Sequence, residues 1–376
     1  MPVLSIIVGA GFSSPAGYPT SEELNNRLLS LNKGSLCHSF FGEVSQIDAK
    51  MPSSFLAEID LCIDLMHYYA DKMGHFYYKD FYDYLLEEVF SDDGIYNVFD
   101  KELFNDESVL YAIGSLKYIF NKLIDICNTD KHGCWRYDDE SSIDKSLFIP
   151  YERFFGQLNI YDEIHIHSLN DDLLTDGLKS LSCIDGNYSD GFEFNQPSYL
   201  GEIWNGYCEV QETVELPQFI GKFEKRLNLY KLRGSRDFYA LYKPLQQESY
   251  RGKDVIVKIN RKVDRISYNG IYLPFNYRGE FLSGLCANSV RANYPVYYNL
   301  IFDKFKKNLI KSDMLVIIGY GCKDKDINDV ILRYYDSTKR SVFIDSNPSE
   351  MILQLGKNLN SEIIIEPFEN VRNIVV

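Results

Sequence analysis

Val3-Leu4-Ser5-Ile6-Ile7-Val8-Gly9-Ala10-Gly11-Phe12-Ser13 is the stretch that decides the fold. A short, apolar, β-branched run ends abruptly in two glycines, the pattern of a buried parallel strand and the turn at its carboxyl end. Thr20-Ser21-Glu22-Glu23 follows, with Thr at the N-cap place and Glu three residues later. That capping box predicts a helix over Leu24 to Leu31. Glycine in the turn permits positive φ and leaves room where a Cβ would keep a pyrophosphate away. The run is not G-x-G-x-x-G, because position 14 is Ser and the next glycine is Gly17. An ordinary strand-to-helix turn is the alternative reading.

The same punctuation returns four times. A strand over Glu163 to Ser168 runs into Leu169-Asn170-Asp171-Asp172, and Leu229-Tyr230 into Lys231-Leu232-Arg233-Gly234-Ser235. The strand Met314 to Ile318 ends in Gly319-Tyr320-Gly321, and Ser341 to Asp345 in Ser346-Asn347-Pro348. Helices are expected over Val296 to Ile310, from Asp324-Lys325-Asp326 through Tyr335, and over Ser349 to Leu359. Alternating strands and helices predict an α/β fold with a doubly wound, parallel, Rossmann-like sheet and ligands at the strand carboxyl ends. Residues 35–149 show helical periodicity, as in Phe55 to Ile63 and Ala112 to Ile126, and are expected to form an inserted, mainly helical domain. Residues 181–225 read as an irregular insertion, and a strand or hairpin set is expected from Leu229 to about Leu273. The Rossmann-like domain is then assembled from 1–34, 150–180 and 226–376.

The chain has 376 residues, 45% of them apolar, enough for a full core. No run approaches the ~20 apolar residues of a membrane span, and the first residues lack a signal-peptide pattern, so a cytoplasmic protein is expected. The formal charge of −15 opposes direct nucleic-acid binding. The basic stretches Arg251 to Arg265 and Lys304 to Lys311 read as solvated faces. Eight cysteines without a C-x-x-C pair read as free, mostly buried thiols. Cys127, His132 and Cys134 lack the usual metal-ligand spacing, and no metal is expected. Asp324-x-Asp326-x-Asn328 imitates a calcium loop but has Asp329 and Tyr335 where Gly and Glu are required. Aromatics make up 15% of the chain, and self-association is one use for them.

Chemistry is expected at the five strand ends. Asn170 offers a neutral amide for a ribose hydroxyl or a water, and Asp172 an acceptor that orients it; a locally determined Asn/Asp turn is the alternative. Gly319, Tyr320 and Gly321 form a second glycine corner. Asp345, with Asn347 beside it, stands where an acidic residue accepts from adenosine ribose hydroxyls, although loop chemistry explains it as well.

In this order the pieces resemble the sirtuin-like family, particularly its bacterial defence-associated branch. They are G-A-G-x-S with x-G-x-P (Gly9 to Pro19), L-N-x-D (Leu169 to Asp172), L-Y-K-L-x-G-S (Leu229 to Ser235), and I-I-G-Y-G with D-x-x-I-N (Ile317 to Asn328). The resemblance implies that Gly9, Ala10, Gly11, Phe12 and Ser13 contact NAD⁺, used as a substrate. It implies that Asn170 holds the nicotinamide-side ribose or a water, and that Gly319, Gly321 and Asp345 face the adenosine half. It further implies an NAD⁺ glycohydrolase acting in antiphage defence by depleting NAD⁺. As partners it implies further copies of the chain and a hexameric HerA-like DNA-translocase ATPase.

Three departures from the family pattern matter. The four-cysteine zinc module of protein-deacetylating members has no counterpart here, and Thr20-Ser21-Glu22 replaces their Asp-Phe-Arg. Both argue against acyl-lysine chemistry. Arg233 stands where the pattern has a histidine, and a guanidinium with pKa above ~12 cannot take a proton from a hydroxyl. General-base catalysis contributes on the order of 10²–10⁴-fold, so the chain is expected to be slow or inert, an alternative being a non-catalytic sensor or scaffold that binds NAD⁺ or ADP-ribose. His165 and His167 are candidate substitute bases, with a structural role as the ordinary reading.

Overall fold

The computed structural model describes residues 2–32, 53–78, 80–81, 84, 145–204, 209–235, 237–241, 255–259, 263, 265–273, 295–372 and 374. The chain divides into two compact units, one of Met1–Gly17, Tyr137–Asn276 and Glu280–Val376, the other of Tyr18–Arg136 with Tyr277–Gly279.

The first unit is built on a seven-stranded sheet. Its strands are β1 (Val3–Val8), β2 (Glu163–Ser168), β3 (Tyr188–Ser189), β4 (Leu227–Lys231), β5 (Met314–Ile318), β6 (Arg340–Ile344) and β7 (Glu362–Ile364). They lie in the order β7-β6-β5-β1-β2-β4-β3, and every neighbouring pair is parallel. A parallel sheet is covered on both faces, which is why β1, β4 and β5 are buried along their whole length. The fold is therefore α/β and doubly wound. From β1 the chain adds β2 on one side, and later returns to place β5 on the other. Strand order thus reverses beside β1, and open α/β sheets bind ligands outside the carboxyl ends at such a reversal.

The longer helices among the described residues are α1 (Ser21–Leu29), α2 (Ser53–Met73), α3 (Ile149–Gly156), α4 (Pro295–Lys311), α5 (Lys325–Tyr334) and α6 (Glu350–Asn358). The capping box is present: Glu23 N donates to Thr20 Oγ1 at 3.3 Å and Thr20 N to the Glu23 carboxylate at 2.7 Å. Helix α1 starts at Ser21, earlier than the apolar periodicity suggests, because a cap at Thr20 makes the next residue helical. Asp324 and Ser349 cap α5 and α6 by accepting from Ile327 N and Ile352 N, without the return bond of a capping box.

Two stretches correct the sequence reading. Within 181–225, expected to be an irregular insertion, Tyr199–Trp204 and Val210–Leu216 are strands: they pair with each other and, through Tyr199–Trp204, with Arg265–Tyr268 and Ile271–Leu273 in a four-stranded antiparallel sheet. A second small sheet takes Phe192–Glu193, Gln218–Phe219, Phe238–Leu241 and Val255–Lys258. Val210–Leu216 buries only Leu216, so no apolar alternation marks it as a strand. Edge strand β7 buries none of its residues and is unmarked for the same reason. Of the hairpin set expected from Leu229, the first strand joins the large sheet as β4 and the rest lie in the small ones.

The second unit holds α1 and α2. His67 Nε2 lies 2.9 Å from the Leu31 carbonyl, and Tyr78 N donates to Asn25 Oδ1 at 2.8 Å. Phe55 to Ile63 falls within α2 as its periodicity predicts, whereas Ala112 to Ile126, Cys127, His132 and Cys134 lie outside the described residues. Cys62, Cys183 and Cys322 are free thiols. No helix among the described residues is long and apolar enough to cross a membrane.

Candidate functional site

Because the strands are parallel, all five candidate turns open on one edge of the sheet. Three of them interlock. Asn170, following β2, donates its amide hydrogens to the Gly9 carbonyl at 2.8 Å and to Ser13 Oγ at 2.9 Å. With both donors committed, Oδ1 is the atom left to meet a hydroxyl or a water. Gly11 N donates to the Gly319 carbonyl at 3.1 Å, joining the turn after β1 to the turn after β5.

The glycines have a reason that the sequence reading assigned elsewhere. A Cβ on Gly9 would stand 2.5 Å from Gly319 O, and one on Gly11 2.7 Å from Gly319 Cα. Gly319 itself has φ +57°, and its Cβ would fall 2.4 Å from Gly11 Cα. Close approach of two backbones, rather than of a backbone and a phosphate, is what excludes side chains here. Gly321 differs: among the described residues a Cβ there meets nothing within 4 Å, so space is open beside it.

The Phe12 side chain is fully buried. Its ring packs edge-on to Tyr151 at 5.0 Å and against Phe368 at 4.9 Å, and Tyr151 Oη donates to the Phe12 carbonyl at 2.6 Å. This aromatic anchor holds the single helical turn Ala10–Ser13. Ala10 and Gly11 are half-buried, and Ser13 is buried.

Behind Asn170 stands Lys231, the last residue of β4, with 2% of its surface exposed. Its ammonium donates to the Asp172 carbonyl, approaches the Asn170 carbonyl at 3.4 Å and pairs with Asp176 at 3.0 Å. Asp172 itself turns inward, where Oδ1 accepts from Leu174 N at 3.0 Å. Lys258 joins the group through Asp176, through Asp190 at 2.6 Å and through Asp237 at 3.7 Å. Burial alone would raise the Asp176 pKa, but Lys231 and Lys258 hold it below the usual carboxylate range. Burial pushes the Asp237 carboxyl up. Burial opposes charge on Lys258, yet its three aspartates keep its pKa well above the ordinary lysine value.

Arg233, following β4, is 6% exposed, and its Nη2 meets Asp324 Oδ2 at 2.5 Å. Asp324 follows β5, and its other oxygen accepts from Ile327 N at 3.2 Å as the cap of α5. Strands β4 and β5 are separated in the sheet by β2 and β1. At ~4.8 Å per strand the pair closes a gap of roughly 14 Å across their carboxyl ends. Tyr320 is buried, with its hydroxyl 3.0 Å from both the Asp324 carbonyl and Asn328 Oδ1. Asn328 Nδ2 donates to the Cys322 carbonyl at 2.7 Å. Asp324 and Asn328 thus shape a turn and a helix start, not a calcium loop.

Asp345 Oδ1 accepts from Asn347 N at 2.9 Å, a local Asx turn at the end of β6, and Asn347 is exposed. Burial, and secondarily Asp345, push the Cys322 thiol up to about 12, so Asp345 lies within electrostatic reach of the turn after β5. Neither strand histidine offers a base at the crevice. His167 is fully buried, stacked on Tyr230 at 5.0 Å and tilted against Phe305 of α4 at 4.7 Å. Burial lowers its pKa well below the usual imidazole value. Burial likewise lowers His165 to about 4, and its Nδ1 lies 3.4 Å from Tyr230 Oη.

Tyr151, Asp176, Lys231 and Asp324 matter to this arrangement and were not singled out in the sequence as site residues. Lys231 and Asp324 stood inside quoted motifs. A lysine ending an otherwise apolar strand is itself a signal, since it must find a counter-charge when buried.

No family model matches the chain, and no curated protein matches it. Among solved structures, one described as a mutant of Sir2 homologues in complex with 2′-O-acetyl ADP ribose is 9% identical, with a TM-score of 0.35. Another, described as a structural basis for the mechanism and regulation of Sir2 enzymes, is 10% identical with the same score. Each match covers 98% of this chain and 88% of the other. Likeness at that level bears on neither family nor function.

Proposed function

We propose that the chain binds NAD⁺ across the carboxyl edge of the sheet and hydrolyses its nicotinamide–ribose bond. The observation that carries this reading is the pair of hydrogen bonds from Asn170 to Gly9 and Ser13, which ties the ends of β1 and β2 together where strand order reverses. Water replaces nicotinamide at the ribose carbon, giving nicotinamide, ADP-ribose and a proton. Asn170 Oδ1 orients the ribose hydroxyl or the water, Asp172 fixes the segment, and Asp345 accepts from the adenosine ribose. The sirtuin-like motif order is the second support.

A non-catalytic sensor of NAD⁺ or ADP-ribose is the competing reading, and the Arg233–Asp324 ion pair favours it. A guanidinium so paired takes no proton. Restoring histidine alone is not a clean test, because Asp324 beside an imidazole favours its protonated, non-basic form. Nicotinamide release should therefore be followed for the unaltered chain, Arg233→His and Arg233→His/Asp324→Asn. The double variant is expected to exceed the unaltered chain by at least about 10²-fold. ADP-ribose binding without release by any of the three supports the sensor, and absence of binding rejects both readings.

The role in bacterial antiphage NAD⁺ depletion, with self-assembly and a HerA-like ATPase partner, is proposed on the motif resemblance alone. Co-expression with such an ATPase followed by size-exclusion chromatography tests it. Separate elution of the two proteins counts against it.

A further inference from the structure

Arg233 brings a permanent positive charge to the edge of the sheet where the proposed dinucleotide would lie, and that charge is not left alone. Asp324 approaches it to 2.5 Å, both side chains are over nine-tenths buried, and the pair reaches across the ends of β1 and β2. A dinucleotide at a doubly wound reversal lies across it with one nucleoside on each side. Asp345 and the open space at Gly321 are on the β5–β6 side. The nicotinamide half then falls on the β2–β4 side, with Asn170 and Arg233.

On the reading that the crevice holds NAD⁺, we infer that Asp324 is a specificity-determining residue, whose carboxylate neutralises Arg233 so that the crevice accepts the cationic ring of an oxidised nicotinamide. Without that carboxylate a buried guanidinium would repel the pyridinium and leave the uncharged dihydronicotinamide unaffected. Asp324 is suited to an informative substitution, because asparagine caps helices as well as aspartate does. Asp324→Asn therefore removes the charge and keeps the start of α5.

The test is a binding titration with two probes sharing the same adenosine diphosphate half. One is carbocyclic NAD⁺, cationic and unable to lose its ring by hydrolysis; the other is NADH, with a neutral ring. In Asp324→Asn the preference for the cationic probe should fall about tenfold or more, as expected for one unscreened charge at short range in a partly buried site. In Arg233→Gln/Asp324→Asn both charges are gone, and the preference should return to within about threefold of the unaltered chain. A purely structural role predicts that the double variant is no better than the single one, and that result overturns the inference. An unchanged preference in Asp324→Asn, with both probes still bound, also overturns it while leaving the crevice reading intact. Failure of the unaltered chain to bind either probe removes the crevice reading and the inference together. Circular dichroism and thermal melting confirm that each variant is folded.

Discussion

The amide of Asn170 lies 2.8 Å from the carbonyl of Gly9, a contact between residues 161 positions apart that welds the ends of two neighbouring strands. Asn170→Ala would remove one of the two donors to that carbonyl, which keeps Phe12 N at 2.9 Å, and the amide donor of the buried Ser13 hydroxyl, at a cost of about 1–3 kcal/mol. Urea denaturation should show this as a lower midpoint with an unchanged slope. A midpoint identical to that of the unaltered chain would show that the contact is dispensable.

Three glycines of the two corners should respond differently to a methyl group. Gly11→Ala drives a Cβ into Gly319 Cα at 2.7 Å, and Gly319→Ala adds a left-handed φ to the same collision. Each should lose about 2 kcal/mol or more. Gly321→Ala meets open space and should stay within about 0.5 kcal/mol. Its effect is expected in ADP-ribose affinity, if the adenosine half passes there. Equal destabilisation by all three would contradict the backbone-contact explanation.

Lys231→Met removes one of the two cations that stabilise buried Asp176 and unfastens the carbonyls of Asn170 and Asp172. Stripping one partner from a buried pair typically costs about 3–5 kcal/mol. Asp176 has a depressed folded pKa, so its contribution is present above about pH 4 and is lost as pH falls through the folded value. With Lys231 gone that pKa rises, and the acid-side loss should shrink. Comparing denaturation midpoints at pH 7 and in acid measures both effects.

The two strand histidines should make the fold acid-sensitive. Both folded pKa values are depressed, His165 to about 4, against about 6.5 when unfolded. Their contribution is therefore intact above about pH 6.5 and declines as pH falls. For His165 it amounts to roughly 3 kcal/mol by pH 4. His167→Leu replaces a buried imidazole whose two nitrogens find no hydrogen-bond partner among the described residues. It should hold or raise stability at pH 7, flatten the acid slope and leave ADP-ribose binding alone. Loss of binding in that variant would return His167 to the list of functional groups.

What could be read from the sequence follows from burial. Strands β1, β2, β5 and β6 sit inside a covered parallel sheet, so each is a compact apolar run ending at a turn residue, and its location is visible from composition. Val210–Leu216 and β7 are exposed, and nothing in their composition distinguishes strand from loop. At the site, Gly9, Gly11, Asn170 and Gly319 were readable because turns demand unusual residues. The pairing of Arg233 with Asp324 was not, since a contact across 91 positions leaves no local trace. Even where the glycines were found, their reason was hidden: the neighbour that excludes a side chain belongs to another strand's turn.

Asp324 serves two masters, as the cap of α5 and as the counter-ion of Arg233. An ancestor or descendant that lost this carboxylate in one step would strand a buried guanidinium, whereas an imidazole in place of Arg233 takes a proton and keeps its partner. The two positions should therefore drift in tandem among relatives, and mutational paths that change Arg233 first, or both at once, should be the passable ones.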